Sequence, residues 1–160
     1  MAKKNMSEHG IEVLTKWEDS RLNPYDDQTG KPIYEWCKGA TIGVGHLIPE
    51  SDWSIFENGI DDKMIAGLLA ADLYQFEKTI NNHVKIKLNQ NQFDALCSFV
   101  FNIGIGGFIS SSALKLINNP QADTSYPSLE EAWKAWKKAQ GKVMKGLVNR
   151  RNNEWKLYNE

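Results

Sequence analysis

At 160 residues and 18.2 kDa, with 41% hydrophobic residues, the chain can bury one core, or two small lobes sharing an element, without disulfide or metal staples. A net charge of −1 and a pI near 6.3 argue against a nucleic-acid-binding domain. Cys37 and Cys97 match no zinc or redox spacing and read as free thiols, and no apolar stretch of about 20 residues follows the basic start, so neither export nor a membrane span is expected.

Ser7 is placed to cap a first helix, and Ile11, Leu14 and Trp17 recur at helical spacing, which predicts a helix over 8–18 with Glu18 at its C-terminal end. Asn23-Pro24 interrupts it. From Tyr25 to His46 the composition changes to Gly, Thr, Ile, Val and aromatics, predicting a small antiparallel sheet with turns at Thr29-Gly30 and Lys38-Gly39. A short helix is expected at Trp53-Ser54-Ile55-Phe56. Asp61 then opens an apolar-periodic run over about 61–82, a helix of roughly 30 Å that suits a strut between lobes.

The remainder reads as helical. Asn89 with Gln92 forms a capping-box pattern before Phe93, Leu96, Cys97, Val100 and Ile103, and the run is expected to stop at Gly104-Ile105-Gly106-Gly107. Ser111 or Ser112 can cap a short helix through Ile117. Ser128 with Glu131 repeats the box and predicts a helix carrying Trp133 and Trp136 into the core and closed by Gly141. A last helix from about Gly146 should turn Leu147, Val148, Trp155 and Tyr158 inward and leave Arg150, Arg151 and Lys156 at its edge. The fold class is α+β, mainly helical, with one short antiparallel sheet. Between Lys134 and Glu160 there are eight Lys and Arg against two Glu, so the C-terminal end is a local cationic surface, read either as a solvated face or as a contact for an anionic wall or lipid.

Two acids in this pattern point to one chemistry. Cleaving a glycosidic bond needs a carboxyl group still protonated at the working pH and a carboxylate that stays ionised, held in different surroundings. Glu18 ends a helix, Asp27 lies at the sheet turn, and Thr41 precedes a glycine-spaced turn. Asp26 is the rival to Asp27, but alternation along an extended strand turns it to the other face.

Taken in order, Trp17-Glu18, Tyr25-x-Asp27, Thr41-Ile42-Gly43-Val44-Gly45-His46-Leu47, Gln92-Phe93-Asp94-Ala95-Leu96, Phe99-x-Phe101-Asn102-x-Gly104 and Gly146-Leu147-Val148-x-Arg150-Arg151 resemble the phage lysozyme family of endolysins, glycoside hydrolase family 24. The resemblance runs from about residue 7 to 158. It implies a lysozyme-like single domain: a small lobe over about 19–60, a connecting helix over about 61–82, and a helical lobe over about 83–160 on which helix 8–18 packs, with the cleft at the junction. It also implies an inverting muramidase that cuts bacterial peptidoglycan without metal or cofactor, as a monomer.

Carried over by position, Glu18 matches the general acid, Asp27 the carboxylate that activates or places water, and Thr41 the hydroxyl that helps hold that water. Gly45, Leu47, Phe101, Asn102 and Ser111 match substrate contacts. His46 is expected to pair with Asp72, and Arg150 or Arg151 to orient Glu18; His46, with His9 and His83 the only other histidines, fits no metal-ligand spacing. One departure is an insertion within Gln28–Gly39, which puts the placement of Thr41 in question and leaves Thr29 as its alternative. The lack of an export signal implies accumulation in the host cytoplasm until a separate pore-forming protein releases the enzyme to the periplasmic wall. A lytic transglycosylase and a non-catalytic glycan-binding module are the alternatives.

Overall fold

The computed structural model describes residues 2–160, which form α1 (Glu8–Trp17), β1 (Arg21–Asp26), β2 (Ala40–Gly43), β3 (His46–Leu47), a 3-10 turn (Glu50–Asp52), α2 (Trp53–Phe56), α3 (Asp62–His83), α4 (Gln90–Ile103), α5 (Ile105–Ile109), α6 (Ser112–Asn118), α7 (Leu129–Lys134), β4 (Lys138–Ala139), β5 (Lys142–Val143) and α8 (Lys145–Tyr158). The chain divides into two compact units: Ile11–Asp72, and the chain up to Gly10 together with Leu73–Glu160. Both boundaries fall inside helices. The sequence pattern groups all of 8–18 with the helical lobe, whereas α1 from Ile11 onward clusters with the sheet, from which Glu18, Asp19 and Ser20 separate it.

In the smaller unit β2 is the central strand of an antiparallel β1-β2-β3 sheet, with Tyr25 opposite Thr41, Asp26 opposite Ala40, and Thr41 opposite Leu47. Strands this short hold few ladder bonds, so the sheet depends on a core. That core is Ala40, Ile42, Ile48 and Phe56, flanked by Ile33, Trp36, Trp53, Ile60 and Leu68. Each large apolar side chain fully buried there contributes about 1.5–3 kcal/mol relative to exposure. The inserted segment 28–39 is part of this unit's packing. Ile33 and Trp36 reach the core, the Trp36 indole N–H donates to the Ile48 carbonyl at 2.9 Å, and the Ile33 N–H donates to the Pro24 carbonyl at 3.2 Å.

In the larger unit α4 is the central helix. Its Asn89–Gln92 capping box forms as the sequence predicts, and Phe93, Leu96, Cys97, Phe99 and Val100 are fully buried. Phe99 stacks on Trp133 at 4.5 Å, and Trp133 in turn meets Trp155 and Tyr158 edge-on. Where the sequence suggests only a stop, Gly104 takes φ +90 and ends α4, and the chain starts another turn of helix, α5. Burial of Phe108 edge-on to Phe99 holds that turn in place.

Two sequence expectations are corrected in this unit. The helix after Ser128 ends at Lys134, and the residues expected to continue it form the β4–β5 hairpin. Gln140 (φ 51) and Gly141 (φ 77) both adopt positive φ at the turn, the geometry a two-residue hairpin loop requires, so Gly141 makes a turn instead of capping a helix. Trp133 is core as expected, but Trp136 falls beyond the helix and is 36% exposed. The second correction concerns Arg150 and Arg151, which are buried and not at the edge of α8. A carboxylate on the same helix, Glu154, makes that burial tolerable.

The segment before α1 is held by side chains. Asn81 donates to the Lys4 carbonyl at 2.8 Å and accepts from its N–H at 3.0 Å, Glu77 accepts from the Met6 N–H at 2.6 Å, and Gln90 donates to the Asn5 carbonyl at 2.9 Å. Buried Asp94 accepts from both the Ser7 N–H and the Ser7 hydroxyl, and the same hydroxyl accepts from the Gly10 N–H as the helix N-cap. A methyl group at position 10 would lie 2.6 Å from Asp94 Cγ, which explains a glycine in a helix.

Candidate active site

Glu18 follows the last residue of α1 and keeps one helical bond, its N–H donating to the Leu14 carbonyl at 2.9 Å, while its side chain is half-buried. The chain then crosses Asp19 and Ser20 and enters β1, which carries Tyr25, Asp26 and Asp27 to the sheet turn. The half-buried Tyr25 phenol has its pKa raised, first by burial. The Arg21 guanidinium, 4.3 Å over the ring, lowers it, and the charges of Asp19, Asp27 and Glu18 raise it.

Asp26 and Asp27 have different employment. Asp26 organises the turn: its carboxylate accepts from the Gln28 N–H at 3.0 Å and the Thr29 hydroxyl at 3.2 Å, and its carbonyl accepts from the Gly30 N–H at 2.7 Å. Thr29 is bound up in the same turn, accepting from the Lys31 N–H at 3.3 Å. The side chain of Asp27 is exposed, and its backbone N–H donates to the Gly39 carbonyl at 3.0 Å. That same carbonyl accepts from the Thr41 hydroxyl at 2.8 Å.

Gly39 is the residue that sequence reasoning did not single out. It takes φ +100, and a methyl group there would sit 2.5 Å from Asp27 Oδ1 and 3.2 Å from Asp26 Oδ1. The Asp27 carboxylate lies over the bare Cα. The Lys38-Gly39 turn is legible in sequence; that its glycine makes room for an acid is not. Thr41 is 2% exposed and its only hydroxyl proton is directed at Gly39, so toward any other group it can act only as an acceptor.

The expected substrate contacts have varied settings. Gly45 is exposed in the β2–β3 turn at φ +66 with open space where a Cβ would be, and Leu47, 61% exposed, is the cross-strand partner of Thr41. Asn102 is exposed near the end of α4, and half-buried Phe101 meets Phe76 edge-on at 5.2 Å. Ser111 departs from expectation. It is buried, donating to the Phe108 carbonyl at 2.7 Å and accepting from the Leu114 N–H at 3.0 Å, so its hydroxyl caps α6 and is not offered to a sugar.

Of the supporting residues, His46 Nδ1 lies 2.9 Å from Asp72 Oδ2, and its ring leans on Phe56 at 5.5 Å. Arg150 and Arg151 share the fully buried Glu154. Arg150 Nε donates to Glu154 Oε2 and to the Ser98 hydroxyl, both at 3.0 Å, and Arg151 Nη2 donates to Glu154 Oε2 at 2.9 Å. Arg151 Nε approaches Glu154 Oε1 to 2.7 Å as an ion-pair contact, out of line for a hydrogen bond. The Ser98 hydroxyl at 2.7 Å and the Trp133 indole at 3.2 Å complete the shell around that carboxylate. Glu154 is a buried hub, four residues after Arg150 and three after Arg151 on the same helix, a spacing that could have signalled the pairing. Among the described residues, no three or more His, Cys, Asp or Glu gather as a metal site would require.

A small sheet carrying an acid at its turn, a second acid at the end of the preceding helix, and a mostly helical remainder define a lysozyme-like α+β protein. The family model for phage lysozyme matches residues 15–154, and the chain belongs to that family. It is 37% identical over 96% of its length to the endolysin of Salmonella phage P22, of which it covers 97%. To the endolysin of Bacillus phage PZA it is 36% identical over 96% of its length, but it spans 55% of that longer protein. Among solved structures, the muramidase domain of SpmX from Asticaccaulis excentricus is similar with a TM-score of 0.78 and 28% identity, over 98% of both chains.

Proposed function

We propose that this chain is an endolysin muramidase, hydrolysing the β-1,4 bond between N-acetylmuramic acid and N-acetylglucosamine in bacterial peptidoglycan during host lysis. The observation that carries the reading is the division of labour at the sheet turn. Asp26 is engaged by the turn and Asp27 is exposed over Gly39, while Glu18 is half-buried just after the end of the preceding helix.

Glu18 is assigned the proton that goes to the glycosidic oxygen, and Asp27 the activation of the attacking water. Thr41, whose proton is directed at Gly39, holds that water as an acceptor. Gly45, Leu47, Phe101 and Asn102 are assigned to the glycan, with His46–Asp72 and the two arginines as structural support. Because water attacks opposite the leaving group, the anomeric configuration inverts. The enzyme works as a monomer. Synthesis in the host cytoplasm with release to the wall through another protein's pore fits the two free thiols, Cys37 and Cys97.

The test is a turbidity assay on outer-membrane-stripped cells with wild type, Glu18→Gln and Asp27→Asn, followed by product mass analysis and NMR of the anomer. Hydrated reducing ends from wild type, inversion, and loss of lysis in both variants are expected. Anhydro products, or full activity in Asp27→Asn, would point to a transglycosylase.

A further inference from the structure

The cationic surface expected on the last helix is located differently once the side chains are placed. Arg150 and Arg151 are buried against Glu154, and Lys134 pairs with Glu130 at 2.7 Å. Apart from Lys156, exposed near the end of α8, the basic charge that stays exposed in this region is gathered on the hairpin and the first residue of α8. Residues 136–146 form an unbroken exposed run containing Lys137, Lys138, Lys142 and Lys145, and no acidic residue occurs from Ala132 to Asn153. The same run exposes apolar side chains: Val143 at 56%, Met144 at 46% and Trp136 at 36%.

This combination has a specific physical meaning. A soluble polyanion is attracted by lysines alone and gains nothing from a valine and a methionine in water. An anionic bilayer surface rewards both, since lysines meet the headgroup charge while neighbouring apolar side chains enter the interface. Register supports close spacing of the two kinds of group, because Lys138 is the cross-strand partner of Val143 and Met144 follows directly. The hairpin is anchored at its base, where the Met144 N–H donates to the Lys137 carbonyl at 2.9 Å, Arg151 donates to the Trp136 carbonyl at 3.2 Å, and the Trp136 indole lies against Gly107.

We infer that the β4–β5 hairpin, with the start of α8, is a docking surface for anionic phospholipid membranes. The interaction is reversible and does not span the bilayer, and no helix among the described residues is long and apolar enough to cross one.

The experiment is co-sedimentation of the full chain with vesicles of phosphatidylethanolamine mixed with phosphatidylglycerol, against phosphatidylcholine vesicles, over a salt series. Wild type should bind only the anionic vesicles and release as salt rises. K137Q/K138Q/K142Q/K145Q should bind at least about a hundredfold more weakly, from roughly fivefold per lysine. V143S/M144S should lose several-fold on vesicles yet keep its binding to soluble polyphosphate. Circular dichroism melts of each variant establish that the fold is intact. Equal binding to neutral vesicles, no vesicle binding, retained binding without the lysines, or vesicle binding unchanged in V143S/M144S would each overturn the inference, the last by identifying a surface for soluble polyanions.

Discussion

Asp27 and Thr41 share one acceptor: the backbone N–H of the first and the hydroxyl of the second both donate to the carbonyl oxygen of Gly39. The inserted segment between them therefore does not separate the two residues. Its far end returns to Asp27 and fixes where Thr41 begins, which is why a longer hairpin is compatible with the catalytic assignment of Thr41.

Gly39 is accordingly a sensitive position outside the assigned catalytic groups. Gly39→Ala brings a methyl group to 2.5 Å from Asp27 Oδ1 and strains a backbone at φ +100, costing about 1–2 kcal/mol from the conformation alone. Lytic activity should fall at least about tenfold through displacement of the carboxylate. Wild-type turbidity kinetics in this variant would refute the role given to Gly39.

Glu18→Gln and Asp27→Asn should each lower lysis by about 10²–10⁴-fold, the usual worth of a positioned acid or base. Asp26→Asn should keep most of the activity. It retains a side-chain acceptor for the Gln28 N–H and loses only the charge of a turn-forming carboxylate. Initial rates on purified wall, with melting curves alongside, separate the two effects.

Glu154→Gln should cost about 3–5 kcal/mol, because it leaves two buried guanidinium groups without their shared anion. Urea unfolding followed by tryptophan fluorescence measures it directly. A change within error of zero would mean that the arginines find other anions.

At alkaline pH the protein should lose stability in two stages, one from a thiol and one from two phenols. The Cys97 thiol is pushed well above its ordinary value, first by burial and then by the charges of Glu77 and Asp94. The unfolded chain therefore loses its thiol proton first, from about pH 8.5, and stability declines as pH rises beyond that point. Tyr158, raised by burial, and Tyr25 extend the decline above about pH 10. Unfolding free energy against pH should show this limb, and Cys97→Val should remove its lower part while leaving the tyrosine part.

His46→Ala should lower stability by about 0.5–1.5 kcal/mol through loss of the Asp72 contact, with little effect on turnover. A double-mutant cycle with Asp72→Asn isolates the pair.

What the sequence carried, it carried locally. Ser7, Asp61, Asn89 with Gln92, and Ser111 announced helix starts because a cap needs only a short polar side chain and the next three N–H groups. Glu18, Asp27 and Thr41 were visible as motif residues. The misses turn on backbone geometry and burial, which periodicity alone does not register. A capping box and an apolar stripe continued the helix past Lys134, and only positive φ at Gln140 and Gly141 reversed the chain. Arg150 and Arg151 looked like edge residues until Ser98, on another helix, joined Glu154 around them. Ser111 could serve as cap or as sugar contact, and its burial decided for the cap.

The clamp ahead of α1 has a temporal consequence. Lys4, Met6 and Ser7 find their hydrogen-bonding partners 77, 71 and 87 positions later, on α3 and α4. During translation these residues emerge before their partners, so Lys4 and Met6 cannot lock until α3 has followed, nor Ser7 until α4 has.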